Sequence, residues 1–489
     1  MKKRMLSILL GLLVSVAVLP AAALAAPLSD ASNAAASVTV GAETTYYQYL
    51  KEALAKATEA SATSEVTVTL LKNLNANDVN EQTLSENGGG RLYFAWKIGG
   101  ASVTPNLITL DGNGHTLTHD CDENVSVYGV IEIANCSAKI ENIVLNAESS
   151  KRNYNAGITL GYSSNVTLTD CTINADLSNG CCIDGSVGSS STLRIEGDTK
   201  LTGEIAISDN DGMTAQLSGG TFQGRINATY SNVKSYLAGG YCFFDQDGKE
   251  IVLADGATSL NPEGTYTVGK PEASVTREGT TTHYATFAAA WDAAAPQIPE
   301  QEGQTSFPSA TITLLEDATD MERYFGTTLP TDVTLNISGK TLTLDKGFYL
   351  VPGSSLMIKG EASGNGQLIV RNDERGAVSI GSDDSGKICN INVENCAITV
   401  EQGPVISGGA ANVTIARSTI IDTTPGSDID RTTAISIYPN QGVEDVTLDI
   451  TNSTLSGPRA LRINPGVTAT VADNSIIRGT GFKPIMINV

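Results

Sequence analysis

The sequence predicts an all-β fold, a right-handed parallel β-helix, on three observations. A spacing pattern recurs in both halves, one class of residue occupies its bends, and its rungs return at regular intervals. The spacing is two inward residues at i and i+2, two bend residues, then two inward residues at i+5 and i+7. Ala138, Ile140, Ile143 and Leu145 fit it, as do Val166, Leu168, Cys171, Ile173 and Ala215, Leu217, Gly220, Phe222. In the second half the sets are Ile391, Val393, Cys396, Ile398; Val413, Ile415, Ser418, Ile420; and Ala469, Val471, Asn474, Ile476. Alternation at period two marks strands with one buried face. The second bend residue is Asn142, Asp170, Gly219, Asn395 or Asp473, with Arg417 the exception. A tight corner forces backbone towards the left-handed region, which these types tolerate best. Leu117, Leu145, Ile173 and Leu201 recur at one constant interval, and a further strand precedes each rung, such as Gly157–Leu160 or Ala434–Ile437. Three short strands per turn, returning to the same register, describe a coil. Its hand is the right-handed one of parallel crossovers. An antiparallel sandwich would not require the same corner class at every turn.

Residues 1–25 read as a secretory signal peptide: Lys2-Lys3-Arg4, an apolar run from Met5 to Pro20, then Ala23-Leu24-Ala25 before the cleavage point. The apolar core is short for a membrane span, and no later stretch is long and apolar enough to be one. The expected location is secreted or extracellular, in association with the cell surface. Residues 26–37 form a linker. Residues 38–270 form a first β-helix module and 271–489 a second. In each, a helix precedes the coil: Tyr47, Leu50, Leu54 and Ala57 share a helical face at 46–57, and Tyr284, Phe287, Trp291 and Ala294 do so at 284–294. Each is expected to lie as a short capping lid over its coil, because an open coil end offers unpaired backbone groups. The run Ile108–Thr118 is echoed at Val333–Thr343, which supports a duplication. Ser235–Val268 departs from the rung pattern and is expected as a terminal β element. The second module ends on Pro484–Val489, read as the first strand of another rung.

The 489 residues carry 53 acidic against 31 basic side chains, a formal charge of −22. That balance excludes a general nucleic-acid-binding surface. Eight cysteines lack both small-scaffold regularity and CxxC metal spacing, so they are expected mainly as buried thiols.

The capping-helix pattern, the apolar ladder, Leu217-Ser-Gly-Gly-Thr-Phe222 and Gly264-Thr-Tyr-Thr-Val268 resemble secreted β-helix proteins of Gram-positive bacteria. The resemblance implies a pectate-lyase-like architecture and an adhesin-like surface protein. It covers most of residues 38–489 and implies no particular substrate.

Catalytic constellations are sparse. Glycoside hydrolysis commonly uses two carboxyl groups about 5–10 Å apart. Asp383 and Asp384, in Gly381-Ser-Asp-Asp384, are the grouped acids, but without the Gly-His-Gly and Arg-Ile-Lys motifs of polygalacturonase-like chains they read as loop carboxylates. Asp428, Asp430 and Arg431 lie in the insertion Thr423–Thr433. His115 and His119 are about 13 Å apart along a strand, too far for one ion. His283 has no partner in the sequence pattern. No catalytic set and no metal site is read, and calcium is the one cofactor left open. Tyr154, Tyr162 and Tyr438 lie in or beside loops, where their rings could stack on sugars. With Asp383 and Asp384 they are the candidate binding residues. The expected function is non-catalytic adhesion or binding to glycans or other surface partners. Two alternatives stand beside it: a polysaccharide lyase or glycoside hydrolase in a lateral groove, and a structural surface spacer.

Overall fold

The computed structural model describes residues 27–75, 94–100, 106–119, 129–147, 156–177, 180–185, 190–209, 212–296, 303–362, 366–371, 374–381, 386–425, 433–439, 443, 445–481 and 485–487. The chain divides into two compact units. One holds the residues up to 239 with 253–268, the other 240–252 with 269 onwards.

In each unit successive strands pass to three sheets in turn, and along the coil each strand pairs in parallel with the strands three before and three after it. In unit one the first sheet runs from Val66–Leu70 to Thr214–Leu217, the second from Leu74–Asn75 to Thr221–Gln223, and the third from Phe94–Gly99 to Ile226–Ala228. In unit two the corresponding sheets begin at Ala310–Leu314, Ala318–Asp320 and Phe325–Gly326. The fold is a β-helix-like parallel solenoid. The inward slots stack as the spacing requires: Leu117, Leu145, Ile173, Leu201 and Phe222 are consecutive register partners in the second sheet. All five are buried.

The corners obey the left-handed rule with one shift. Asn142, Asp170, Asn395 and Asp473 have φ of 52°, 53°, 54° and 51°. Arg417, of the wrong class, takes φ 49° all the same. Its guanidinium compensates, donating from Nε to Asn395 Oδ1 at 2.8 Å and pairing with Glu394. In the Gly219-Gly220 corner it is Gly220, not Gly219, that is left-handed, at φ 105°.

The last corner also corrects the expected register. Asp473 and Asn474 are both left-handed, and the extra residue moves the inner slot from Ile476 to Ile477. Ile477 pairs with Leu455 and continues the Ile398–Ile420–Leu455 row, while Ile476 pairs with Thr454 on the outer face. The inward bend residue is therefore Ser475 rather than Asn474. It ends a hydroxyl ladder in which Ser418 Oγ accepts from Cys396 N, Ser453 Oγ from Ser418 N and Ser475 Oγ from Ser453 N, at 3.1–3.3 Å.

The helices are α1 (Leu50–Ala60) and α2 (Phe287–Ala294). Tyr47 and Tyr284, expected on them, instead end the strands Glu43–Tyr47 and Thr280–Tyr284. Leu50, Ala53, Leu54 and Ala57 are buried on α1, and Phe287, Ala290, Trp291 and Ala294 on α2. Trp96 is fully buried and sits in register with Ile131. At the far end of unit one, Thr265–Gly269 and Ser259–Leu260 pair antiparallel with the final rung, and the Tyr266 ring stacks on Phe222 at 5.4 Å.

The described cysteines form no disulfide, and all but half-buried Cys242 are buried. Burial pushes the thiols of Cys136, Cys171 and Cys396 up to about 12. Cys121 lies outside the described residues.

Candidate functional site

Outward side chains of the first sheet are mostly half-exposed, whereas several third-sheet strands are covered on both sides. Ala156–Leu160, Cys181–Gly185 and Thr433–Ile437 are buried at every position. Beside two of these strands, exposed side chains stand at the turn just after the strand.

Two of the candidate tyrosines occupy that turn. Tyr162 follows Ala156–Leu160 and is 62 % exposed, and Tyr438 follows Thr433–Ile437 and is 43 % exposed. A third tyrosine, not singled out in the sequence, shares the position. Tyr230 follows Ile226–Ala228 with the same offset as Tyr162 and is 73 % exposed. The offset from the preceding third-sheet strand was a usable signal for it. Tyr162 and Tyr230 stand three coils apart in unit one, which is about 14 Å at one strand spacing per coil.

Polar contacts fix the backbone at each tyrosine, and at Tyr438 the ring as well. The Tyr438 amide donates to Gly408 O at 2.7 Å, and Arg462 Nη1 donates to the Tyr438 hydroxyl at 2.9 Å. The same guanidinium lies 5.2 Å from the Tyr438 ring centroid, so the ring is held in one orientation by a cation–π contact as well. The Tyr162 carbonyl accepts from Asn135 N at 2.8 Å. Tyr230 is placed by Asp209, whose carboxylate accepts from the amides of Tyr230 and Ser231 and from the Tyr236 hydroxyl at 3.2 Å. Burial pushes the Asp209 carboxyl up, but these hydrogen bonds outweigh it and hold the group below the usual range. The converse applies to Tyr236, where burial and then the Asp209 charge push the phenol up to about 12.

Tyr154, Asp383 and Asp384 lie outside the described residues, as do Asp428, Asp430 and Arg431. Asp422 is the carboxyl that burial most affects near that insertion. It continues the inner row Leu344–Val370–Val400, is 4 % exposed, and is pushed upward by desolvation against the Thr424 hydrogen bonds. No protein-family model, curated protein or solved structure matches this chain. Any chemistry therefore has to be read from the geometry.

The histidines also resolve. His115 Nδ1 lies 3.3 Å from Asn73 Oδ1, and His119 is buried. His283, which lacked a partner in the sequence pattern, has one: its Nδ1 lies 2.6 Å from Glu250 Oε2.

Proposed function

We propose that this chain is a secreted, cell-surface-associated right-handed β-helix of two tandem modules that binds glycans without catalysing their cleavage. In this reading α1 and α2 cover the opening rung of their own module, which removes the unpaired strand edge a solenoid would otherwise expose. The N-terminal Lys2–Ala25 pattern supports export. The observation that carries the binding role is the repeated placement of solvent-facing tyrosines at one turn of the coil. Tyr162 and Tyr230 share a line in unit one, and Tyr438 is held by Arg462 in unit two. Tyrosine offers a sugar a flat apolar face and a hydroxyl at its edge, at low conformational cost. A rigid coil keeps successive rings at multiples of one strand spacing, which suits an extended polymer rather than a compact ligand.

The test is saturable binding of the mature chain to a glycan array and to mucin. Tyr162→Ala with Tyr230→Ala should weaken unit-one binding about tenfold, given the 0.5–1.5 kcal/mol that an aromatic contact contributes. Absence of saturable binding, or binding indifferent to all three tyrosines, overturns the reading.

A further inference from the structure

Cys242, Glu250 and His283 each offer one ligand atom, and the three atoms lie within 4.8 Å of one another, each residue being half-buried. Cys242 and Glu250 stand on the two limbs of one short turn-back and His283 on a strand 33 residues further on, all inside unit two. The strand Cys242–Phe244 turns back through Asp245–Gly248, with Phe244 bridged to Glu250 and Ile251 N donating to Phe243 O at 2.8 Å. Asp245 Oδ1 accepts from the amides of Asp247 and Lys249 at 3.0 and 2.9 Å, and Gly248 takes φ +73° to close the turn. The returning limb then pairs with Thr280–Tyr284: Glu250 N donates to His283 O at 3.0 Å, and Ala285 N to Gly248 O at 2.8 Å. The backbone beneath all three side chains is thus fixed on both sides. The close approach is built into the sheet rather than being a chance meeting of surface loops.

We propose that this set is a binding site for a zinc-class divalent ion, with Cys242 Sγ, His283 and the Glu250 carboxylate as ligands and a fourth position open to solvent. The donor set decides the metal class. A thiolate with an imidazole selects zinc over calcium or magnesium, which take all-oxygen shells. One thiolate and one carboxylate neutralise the ion's two positive charges, so the filled site carries no net charge. Zinc–ligand lengths of about 2.0–2.3 Å put tetrahedral donors roughly 3.3–3.7 Å apart. The ion would replace the direct His283–Glu250 contact, with small side-chain adjustments. Three protein ligands and a solvent-facing position are the arrangement of an exchangeable site rather than a closed structural one. At the matching position of the first hairpin stands Tyr46, which can supply neither a thiolate nor an imidazole, so the site is particular to unit two.

The test uses the full mature chain, stripped with chelator and titrated with Co2+ and then Zn2+. One equivalent of Co2+ should give a thiolate-to-cobalt charge-transfer band that Zn2+ abolishes. Cys242→Ser should remove the band, and His283→Gln and Glu250→Gln should each raise the dissociation constant about tenfold or more. Circular dichroism and the melting midpoint of the metal-free variants should match the metal-free parent, which separates lost ligation from lost fold. Failure to bind one equivalent, or a band that survives Cys242→Ser, overturns the proposal. Glycan binding is measured separately and does not depend on it.

Discussion

Residues 36–70 and 273–314 build one backbone object twice, and their differences show what the backbone leaves open. In both, a two-residue turn joins antiparallel strands in equivalent register: Ala36 faces Tyr47 and Val40 faces Glu43, as Ala273 faces Tyr284 and Arg277 faces Thr280. Both hairpins carry the same cross-strand hydroxyl pair, Thr39–Thr44 at 3.0 Å and Thr276–Thr281 at 2.9 Å. Both then place the first coil strand antiparallel to the hairpin, with Ala36 opposite Leu70 and Ala273 opposite Leu314. The side chains diverge. Helix α1 buries Leu and Ala, with Thr58 Oγ1 accepting from Gly99 N at 3.2 Å. Helix α2 buries Phe287 and Trp291 in a ring cluster with Phe325 and Phe348, centroids 4.7–6.5 Å apart. It is also gripped by Arg323, whose fork donates to both Asp292 oxygens and to Ala288 O at 2.8–2.9 Å. Register is set by alternation and turn residues, while the filling of the opening rung is free to vary.

The largest expected effect lies in that filling. Trp291→Ala should destabilise unit two by about 3–5 kcal/mol, the range for deleting a buried aromatic. Leu54→Ala in α1 falls in a range of about 2–5 kcal/mol, and it should come out the smaller of the two because it removes an aliphatic side chain where Trp291→Ala removes a ring from an aromatic cluster. Trp291→Phe sharpens the contrast. Trp291 Nε1 is buried without a hydrogen-bond partner among the described residues, so trimming the indole forfeits packing alone. The cost should stay below about 1.5 kcal/mol. Urea unfolding of each variant is the measurement, and a Leu54→Ala loss exceeding that of Trp291→Ala would remove the distinction between the two helices.

The sequence made the coil legible because its inner slots repeat at fixed offsets and its corners draw on a small residue class. Leu145 stacked on Ile173 follows from that alone. It misled wherever one residue more or less changes the phase: the extra left-handed residue at Asp473-Asn474 moves Ile477 into the slot read for Ile476. Helix starts were also early, since Tyr47 and Tyr284 fit a helical face and a strand end equally well. The candidate tyrosines were partly legible, as loop-adjacent aromatics, but Tyr230 became visible only once the third-sheet strands were placed. The Cys242–Glu250–His283 set was not legible at all. Cys242 and Glu250 are close in sequence, but His283 is not, and only the pairing of their hairpin with the later strand Thr280–Tyr284 brings it to them.

A second contrast between the units concerns the inner row of the second sheet. In unit one it holds alanines at Ala147 and Ala175, while in unit two the row Leu344–Val370–Val400 continues to Asp422. Asp422 Oδ1 accepts from Thr424 N at 2.9 Å, but Oδ2 is buried with no hydrogen-bond partner among the described residues. Desolvation raises this carboxyl above its unfolded value, so the sign is fixed. Below the unfolded pKa both states are protonated and the fold bears no charge penalty. As pH rises through the folded pKa that advantage is lost. Asp422→Asn keeps the acceptor for Thr424 and removes the charge. It should stabilise unit two by about 1 kcal/mol or more at pH 7, the scale of a buried unpaired polar group, and by nothing measurable at pH 3. Equal gains at both pH values would mean that charge is not the cause.

The smallest expected effect tests the corner rule at its exception. Arg417 occupies a left-handed slot that Asn142 and Asp170 fill in unit one with residues suited to it. Holding an ordinary residue there costs roughly 1–2 kcal/mol, and the contacts of Arg417 with Glu394 and Asn395 are exposed, a setting in which ion pairs contribute about 0–1 kcal/mol. Glycine relieves the strain but loses those contacts and adds freedom to the unfolded chain, a cost of about 0.4–1 kcal/mol. These effects nearly cancel, so Arg417→Gly should change stability by no more than about 0.5 kcal/mol. Arg417→Val, β-branched and without the contacts, should be clearly destabilising at the same position. If glycine proves as harmful as valine, the guanidinium contacts rather than backbone conformation hold that corner. Arg417 would then be a different solution from the asparagines and aspartates of the other rungs.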